Sequence, residues 1–578
     1  MAAPPIGIDL GTSNSCVAIA RGVDVEVLRN AYHEATTASA VAFLPDGAIE
    51  VGNYAKANVA LDPSNTICSA KRLIGRYYFS DEVKKAQAVC SYEILEGPNH
   101  GVRLRARDQE FSLPEISAMV LREMKQIAEA ALDQTVDKAV ITVPAHFNDN
   151  QRQATKDAGQ IAGLEVLRIL NEPTAAALAY GFGRSLDQRV AVYDLGGGTF
   201  DVSILEIGSD IFEVLSTCGD TFLGGDDFDD RLMDLLADEV VNQTGHNPRS
   251  DRVSLEKIRA AAEEAKKALS REAEVTVTIL GLLADAERGP FTLERKIDRG
   301  EFDARVMDLV MRTFKVCDEA LQQAELTTQD LDGVILVGGP TRLPVVRNAV
   351  SDYFQCPVKD EVDPDVVVAR GAAIHAASLV PDEAGSEPGS ILLDVTPLDL
   401  QIGVAGGLAE PVLARNTPVP IEQTRRFTTT RDGQESVQIQ VYQGGDRQAE
   451  ANELLGQFEF SGFRSAPRGD VAIDVSFAID SSGIVEVTAL EPESGERTSL
   501  TLSLSSGLSD EELARILAEA PTDRVRQVSP EARLGLRADR QSHLPASEPP
   551  ASEDRAPDPA EELFEHGAID LSSDCERE

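Results

Sequence analysis

Two stretches of this 578-residue chain share one pattern and decide its fold: IGIDLGTSNSCVAI at residues 6–19 and AVYDLGGGTFDVSI at residues 191–204. They align without gaps, and each predicts a strand that ends in Asp-Leu-Gly, a turn of glycine and small polar residues, and a second strand. Because both flanks are extended, each turn joins the strands of a hairpin, unlike the strand-to-helix turn of a Rossmann motif or a P-loop. The repeat therefore indicates a duplicated unit.

The composition of the two turns indicates phosphate binding. Glycines allow backbone N–H groups to approach an oxyanion closely. Asp9 and Asp194 each end a first strand, where a carboxylate is well placed to hold the waters of a hydrated Mg2+. One Asp-Leu-Gly is more simply a strand end and a turn. Two copies, with a third glycine turn VGGPTR at residues 337–342, favour a polyphosphate held from two sides.

Outside these hairpins, the first 380 residues alternate strand-like and helical patterns, which predicts an α/β region. The predicted strands include Ala139–Val143, Val190–Tyr193 and Val334–Val337, and the predicted helices include Asn150–Ala158 and Leu255–Ser270. A run of turn formers then opens a linker at residues 381–396. Its apolar segment, residues 390–394, indicates a linker that docks on the protein.

After the linker the apolar pattern changes to the period of two that strands show. Val437–Val441 and Ile473–Ile479 alternate strictly, and Asp432-Gly433 and Asp480–Gly483 are predicted to be hairpin turns. Residues 397–507 therefore predict an antiparallel β-sandwich.

The C-terminal residues predict short helices and then disorder. Ser509 and Glu512 have the spacing of a capping box, and Pro521 ends the helix that they begin. A second short helix is expected over residues 523–537. Residues 541–578 hold eleven acidic residues and two arginines, a composition that predicts a disordered acidic tail.

The overall composition narrows the class of protein. Lys and Arg number 54 and Asp and Glu number 97, which gives a formal charge of −43 and disfavours binding to nucleic acid or to an anionic membrane surface. The seven cysteines are scattered without a CxxC pair, which indicates a reducing compartment and no zinc site. The sequence also predicts no membrane span and no signal peptide. We therefore expect a cytoplasmic protein.

Longer motifs identify the chain as similar to the 70-kilodalton heat-shock chaperones of the DnaK type. The motifs are AKRLIGR, VITVPAHFNDNQRQATKDAG, NEPTAAALAYG, GDTFLGGDDFD, VILVGGPTRLP, LLDVTPL and GQFEFSG, in addition to the two hairpins. The resemblance implies an actin-like ATPase of two lobes at residues 1–380, an interdomain linker at 381–396 and a peptide-binding sandwich at 397–507. It leaves residues 508–540 for a shortened lid, before the acidic tail at 541–578.

The resemblance implies ATP or ADP and Mg2+ as cofactors, with K+ as a further candidate ion. It assigns catalysis to Lys71, Glu172, Thr199 and Asp201, and it assigns the Mg2+ water shell to Asp9 and Asp194. The implied nucleotide contacts are Gly11, Thr12, Ser13, Asn14, Gly196, Gly197, Gly198, Thr199, Gly225, Glu263, Lys266, Lys267, Ser270, Gly338, Gly339, Arg342 and Asp365. By spacing alone, Glu263, Lys266, Lys267 and Ser270 are more simply a solvated helix face.

The resemblance also implies how nucleotide and peptide binding communicate. The matching coupling residues are Pro144, Arg152, Arg168, Asn171, Leu392, Leu393 and Asp394, and three of them, Arg168, Asn171 and Asp394, match positions that face J-domain co-chaperones. A nucleotide-exchange factor is the other implied partner. The matching peptide-pocket residues are Ile402, Phe427, Val437 and Ile439, which alternation alone would make ordinary core residues. Ala405 stands where the family usually has Met, opposite Thr430, which predicts a looser arch over the peptide.

The sequence thus predicts an ATP-dependent chaperone of the stress response that binds and releases unfolded or extended peptides. The altered arch and short lid keep open a specialised regulator of one protein partner. A small-molecule kinase or a filament protein on the actin-like fold is disfavoured, because neither needs a β-sandwich.

Overall fold

The structure is a computed structural model of the chain and describes residues 3–22, 24–184, 186–208, 211–285, 289–359, 361–380, 391–404, 406–501, 508 and 510–519. The predictions for Ala405, the Ser509 cap, the helix over residues 523–537 and the acidic tail lie outside these residues. Within them, we find no helix with the length and apolar character needed to cross a membrane.

The first part of the chain forms the predicted hairpin, the strands beside it and the helices that cover them. Its strands are β1 (Ile6–Asp9), β2 (Asn14–Arg21), β3 (Asp24–Leu28), β4 (Thr37–Ala38), β5 (Ala40–Phe43), β6 (Ile49–Val51), β7 (Thr66–Cys68), β8 (Glu93–Glu96), β9 (Val102–Ala106), β10 (Gln109–Ser112), β11 (Lys138–Val143) and β12 (Glu165–Asn171). Its helices are α1 (Asn53–Asn58), α2 (Asp81–Val89), α3 (Leu113–Leu132), α4 (Asp149–Ile161) and α5 (Glu172–Gly181). Glu172 and Pro173 belong to the first turn of α5.

The second part of the chain repeats this plan. Its strands are β13 (Gln188–Leu195), β14 (Phe200–Ile207), β15 (Ile211–Asp220), β16 (Glu274–Asp285), β17 (Gly289–Asp298), β18 (Gly333–Val337) and β19 (Val358–Lys359). Its helices are α6 (Gly225–Thr244), α7 (Arg252–Leu269), α8 (Arg299–Gln323), α9 (Pro344–Phe354) and α10 (Val367–Leu379).

The third part is mainly extended. Its strands are β20 (Ile391–Val395), β21 (Leu400–Val404), β22 (Leu408–Leu413), β23 (Pro418–Val419), β24 (Ile421–Thr428), β25 (Ser436–Gln443), β26 (Glu453–Ser461), β27 (Ala472–Ile479), β28 (Val485–Leu490) and β29 (Arg497–Thr501), and one helix, α11 (Asp510–Glu519), follows them among the described residues.

The repeat in the sequence is also a repeat in sheet topology. One sheet has the strand order β12-β11-β1-β2-β3, and the other contains the order β19-β18-β13-β14-β15. In each, the glycine hairpin is antiparallel and the strand beside it, β11 or β18, is parallel to its first strand. The two predicted hairpins are confirmed. Each turn therefore lies at the carboxyl end of a parallel pair, where ligands bind in open α/β sheets.

Apolar side chains form a core on each sheet and a third cluster between them. The third cluster combines residues of β2 and β13 with both α5 and α10. Helix α10 packs against α5 closely because residue 371 has no side chain: a Cβ atom on Gly371 would lie 1.8 Å from the carbonyl oxygen of Ala175. These two helices thus lie where the two halves of the duplication meet.

The predicted sandwich consists of two antiparallel sheets, with strand orders β22-β21-β25-β26 and β24-β27-β28-β29, around a common apolar core. The turn at Asp480–Gly483 joins β27 to β28 as a hairpin. The hairpin predicted at Asp432-Gly433 is wrong, because this turn connects β24 in one sheet with β25 in the other. The local turn signal is present, but burial of the apolar faces decides which strands pair.

The end of the predicted linker is part of the second sheet. Strand β20 pairs in parallel with β15, so that Leu392 lies opposite Phe212, and it pairs on its other side with β23. Helix α11 packs on the first part of the chain: Ile516 joins its apolar core, and Glu512 forms an ion pair with Arg103.

Candidate functional site

The turns of the two glycine hairpins face each other at close range. A Cβ atom on Gly197 would lie 2.0 Å from the Ser13 hydroxyl oxygen, and one on Gly198 would lie 2.8 Å from the methyl carbon of Thr12. The structure therefore brings these predicted phosphate-binding residues together. Gly11 and Asn14 flank the first turn, where the Gly11 carbonyl oxygen accepts a hydrogen bond from Ser39 at 2.7 Å.

Helix α6 begins directly behind the second turn. The backbone N–H groups of Gly225 and Asp226 donate to the carbonyl oxygens of Gly196 and Gly197 at 2.9 and 2.8 Å. The positive end of this helix, which favours anions, is thus held against the Gly196–Gly198 turn. Thr199 completes the turn, since its carbonyl oxygen accepts from the Gly196 N–H at 2.9 Å.

Buried carboxyl groups surround Lys71 beside these turns. Lys71 Nζ donates to Glu172 Oε1 at 2.6 Å, and both side chains are buried. Burial, reinforced by the charge of Glu172, raises the pKa of Asp9 and of Asp201 to about 7, and Lys71 opposes the rise. Burial raises the pKa of Asp194 well above its usual value as well. Lys71 thus adds one positive charge to a site that has an excess of carboxyl groups.

Such an excess fits a divalent cation. Among the described residues, no group of three or more His, Cys, Asp or Glu side chains is arranged to ligate a metal ion directly. Asp9 and Asp194 each end the first strand of a glycine hairpin, and they lie close enough for the charge of Asp9 to raise the pKa of Asp194. They therefore fit Mg2+ that keeps its waters and reaches phosphate oxygens, the usual coordination of this ion. The donor set fits the ion that the resemblance implies.

Several of the residues predicted to contact the nucleotide meet near the start of α6. Lys266 Nζ donates to the Gly225 carbonyl oxygen at 2.9 Å and pairs with Asp229 at 2.6 Å. A Cβ atom on Gly225 would lie 2.9 Å from Pro340. Lys266, Gly225 and the glycine turn at 337–342 therefore share one corner of the cleft.

Glu263 joins the two halves of the duplication across this cleft. It accepts from Lys56 at 2.6 Å and pairs with Lys267 at 2.9 Å. Burial raises its pKa, but the two lysines together hold the pKa at about 2. Ser270, at the end of the same helix, donates a local hydrogen bond to the Lys267 carbonyl oxygen at 2.6 Å.

Arg342 and Asp365 form the opposite wall. Arg342 Nε donates to Asp365 Oδ2 at 2.9 Å, and Asp363 accepts from the same guanidinium. Gly338 has φ of 85°, a left-handed conformation that favours glycine, and Gly339 begins the short helical turn that carries Arg342. The carboxylates fix the plane of the guanidinium, which is the group suited to stacking on a purine.

The comparison with known families decides the assignment. A family model described as Hsp70 protein matches residues 5–559. The chain belongs to the Hsp70 family. Members of this family are ATPases that act as chaperones, and the match runs past residue 507, where the motif resemblance ended, into the residues that follow the sandwich.

A chain of hydrogen bonds leads in this Hsp70 family member from Asp201, one of the predicted catalytic residues, to Asp394 in the predicted linker. The His146 N–H donates to Asp201 at 3.0 Å. One residue earlier, the Ala145 carbonyl oxygen accepts from Arg152 at 3.0 Å, and Arg152 donates to Asn171 at 2.7 Å. Asn171 in turn donates to Asp394 at 2.9 Å.

The same residues contact the sandwich. Arg152 reaches the Ser482 carbonyl oxygen at 3.4 Å, and Arg168 donates to Ser481 at 3.0 Å. Pro144 is buried at the start of this segment. Leu392 is half-buried in β20, and Leu393 beside it is exposed. The predicted coupling residues therefore come together, but Asn171 and Asp394 are buried and not free to face a partner in this conformation.

The four predicted pocket residues all belong to the sandwich core. Ile402 and Ile439 are buried, and Phe427 and Val437 are half-buried. Thr430 is exposed, and its N–H donates to Gln434 at 3.0 Å. The four predicted pocket residues are thus part of the sandwich core, and the half-buried ones lie on β24 and β25.

Sequence reasoning missed a cluster at the mouth of the cleft. Asp226 accepts from Ser69 at 3.1 Å and from Ser13 at 3.4 Å, and Arg72 lies 3.5 Å from it and 3.0 Å from Asp227. Both motifs that contain these residues were recognised, but a contact between residues more than 150 positions apart leaves no local signal.

Proposed function

We propose that this Hsp70 family member is an ATP-dependent chaperone in which the nucleotide controls affinity for extended peptide segments. In this proposal residues 1–380 carry the ATPase, 381–396 the linker, 397–507 the peptide site and 508–540 a short lid. The observation that carries the proposal is the hydrogen-bond chain from Asp201 through Arg152 to Asp394, which connects the predicted hydrolytic centre with the predicted linker. Arg152 also reaches the Ser482 carbonyl oxygen of the sandwich.

The proposed hydrolysis relies on positioning and charge. Phosphoryl transfer needs little covalent chemistry from the protein. Bound Mg2+ supplies positive charge to the phosphate oxygens. Lys71 adds a point charge beside them, while Glu172, Thr199 and Asp201 orient the attacking water. The backbone N–H groups of the two glycine turns hold the phosphates from both sides.

The proposed coupling acts through the backbone beside Asp201. A change in the charge near Asp201 alters the hydrogen bond that Asp201 accepts from the His146 N–H. The preceding residue, Ala145, accepts a hydrogen bond from Arg152, so a shift of this backbone segment also moves Arg152. Arg152 then favours or disfavours docking of the linker and the sandwich. J-domain proteins and nucleotide-exchange factors are the partners that we expect for this cycle.

The half-buried apolar residues of the sandwich indicate which class of peptide it would bind. Half-buried Phe427 and Val437 expose part of an apolar core, which suits a single apolar side chain of an extended segment. Backbone hydrogen bonds would then bind the segment with little demand on its sequence. We therefore propose unfolded or extended apolar peptides as the substrate class.

Peptide release tests this function directly. The full-length protein is loaded with a fluorescein-labelled heptapeptide that has a central leucine, and dissociation is followed by anisotropy. We expect ATP to accelerate dissociation at least fivefold over ADP, the lower end of usual allosteric coupling. Equal rates with the two nucleotides would refute the proposed function, and ATP turnover that required a sugar or acetate acceptor would indicate a kinase.

Docking of the sandwich on the first part of the chain should depend on pH through Asp149 of α4. Its Oδ1 accepts from the Val485 N–H at 2.7 Å. Burial raises the pKa of Asp149 to about 7 and Asp480 adds to the rise, while the hydrogen bond from the Val485 N–H, Arg152 and Lys156 oppose it. An exposed aspartate ionises near 4. The docked arrangement therefore binds the proton more tightly, and docking should weaken as pH rises from about 4 to about 7 and level off above.

A single introduced tryptophan can report this docking, since the chain has none. Tyr77 donates to the Leu454 carbonyl oxygen across the same interface at 3.0 Å, so Tyr77→Trp places the probe there. We expect its emission to shift with pH in that window and Asp149→Asn to remove the shift. The exposed Asp46→Asn is the control, and a shift that persists in Asp149→Asn would contradict the prediction.

A further inference from the structure

An ion pair joins the two sheets of the sandwich at one edge. Strands β22 and β24 are the first strands of different sheets, so no backbone ladder links them. Arg425 on β24 donates to the Glu410 carboxylate and to the Pro411 carbonyl oxygen on β22. We call Arg425 and Glu410 the edge pair. It spans the gap between the sheets on this side.

The edge pair lies beside two of the predicted pocket residues. Glu410 is the cross-strand partner of Ile402, and directly opposed residues project from the same face of a sheet. Arg425 lies two residues before Phe427 on β24, and such residues also share a face. The edge pair therefore lies in the same row of side chains as the predicted pocket. It is the last member of that row, at the edge of the sandwich that β22 and β24 form.

The next residue on the same strand provides a contrast. Arg426 projects from the opposite face and pairs with Asp474, its cross-strand partner on β27, at 2.6 Å. The ladder between β24 and β27 already fixes those two strands. Loss of the Arg426 pair should therefore leave the separation of the two sheets unchanged. Loss of the edge pair should allow β22 and β24 to move apart.

We propose that the edge pair sets the rate at which a bound peptide exchanges, by restraining the separation of β22 and β24 beside Ile402 and Phe427. This inference rests on the proposed peptide-binding function. A leucine-like side chain that enters or leaves the pocket needs the two sheets to part locally, and the pair opposes that movement. Its partners are half exposed, 39% for Arg425 and 44% for Glu410, so its effect is moderate and sensitive to salt.

The test measures dissociation of the labelled leucine heptapeptide from the full-length protein in ADP. We expect Arg425→Gln and Glu410→Gln each to accelerate dissociation about two- to fivefold, the range for half-exposed ion pairs. The exchanged pair, Glu410→Arg with Arg425→Glu, should restore much of the loss. Raising NaCl from about 50 to about 500 mM should accelerate release from the wild type but little from Arg425→Gln.

Arg426→Gln is the matched control and should release the peptide at the wild-type rate. Equal rates for Arg425→Gln and Arg426→Gln would overturn the proposal, and so would a wild-type rate that ignores salt. The thermal midpoint of each variant identifies any general unfolding. If the wild type binds the heptapeptide and releases it at a rate that responds to ATP, but the edge-pair substitutions do not change that rate, this inference fails and the proposed function stands. If the wild type does not bind it, the proposed function fails too.

Discussion

Lys71→Ala is expected to slow ATP hydrolysis by about 100- to 1000-fold while ATP still binds, the loss typical of removing one group that stabilises transferred charge. Lys71 is the lysine that the structure places among Asp9, Asp194, Asp201 and Glu172. Without it, the buried carboxylates lose the charge that opposes their repulsion, and the phosphoryl group loses a cation during transfer. Nucleotide affinity depends more on the hairpin turns and on α6, which the substitution leaves intact.

Single-turnover hydrolysis of a preformed ATP complex measures the chemical step, and binding of a fluorescent ATP analogue measures affinity. Lys84→Ala is the control, because Lys84 is exposed and pairs with Asp81 within one turn of the same helix. A Lys71→Ala variant that hydrolyses ATP within about twofold of the wild type would remove Lys71 from the hydrolytic centre, whatever its affinity.

The parts of the site that sequence could predict are those that carry their geometry locally. The hairpin turns at residues 9–14 and 194–200 combine glycines, an aspartate and flanking strands in one continuous segment, and the structure has them as predicted. Lys71 by itself resembles a surface lysine. Its place in the site came from the motif around it, and its contact with Glu172 spans 101 positions.

Other features depend on tertiary packing, which a local pattern does not determine. Asp432-Gly433 has the composition of a hairpin turn, yet the strands around it pair with other strands to bury their apolar faces. Arg72 could not be assigned because its partners, Asp226 and Asp227, belong to another part of the duplication. The burial of Asp394 could not be predicted from the sequence either, since an aspartate is ordinarily exposed.

The coupling chain makes Arg152 the residue whose loss should separate hydrolysis from peptide release. Arg152 is 3% exposed, and its guanidinium donates to the carbonyl oxygens of Ala145 and Phe147 and to Asn171. Burial lowers the pKa of Arg152. A buried guanidinium with these bonds has one favoured arrangement, so its removal should uncouple the linker from the Asp201 segment.

We expect Arg152→Ala to reduce the acceleration of peptide release by ATP to about twofold or less, from the 5- to 150-fold that allosteric coupling usually provides. Basal hydrolysis should stay within about threefold, because Arg152 donates hydrogen bonds to Ala145, Phe147, Asn171 and Ser482, none of which is assigned to catalysis. Arg152→Lys keeps the charge but loses the forked geometry, and it should be almost as uncoupled.

The measurement is the ratio of heptapeptide dissociation rates in ATP and ADP, taken beside single-turnover hydrolysis on the same preparation. Arg189→Ala is the control, since Arg189 forms an exposed ion pair with Glu206 on neighbouring strands of the second sheet. If both Arg152 variants keep the wild-type ratio, the signal does not pass through Arg152. Coupling would then have to pass through other contacts of the docked sandwich, such as Asp149 with Val485 and Tyr77 with Leu454.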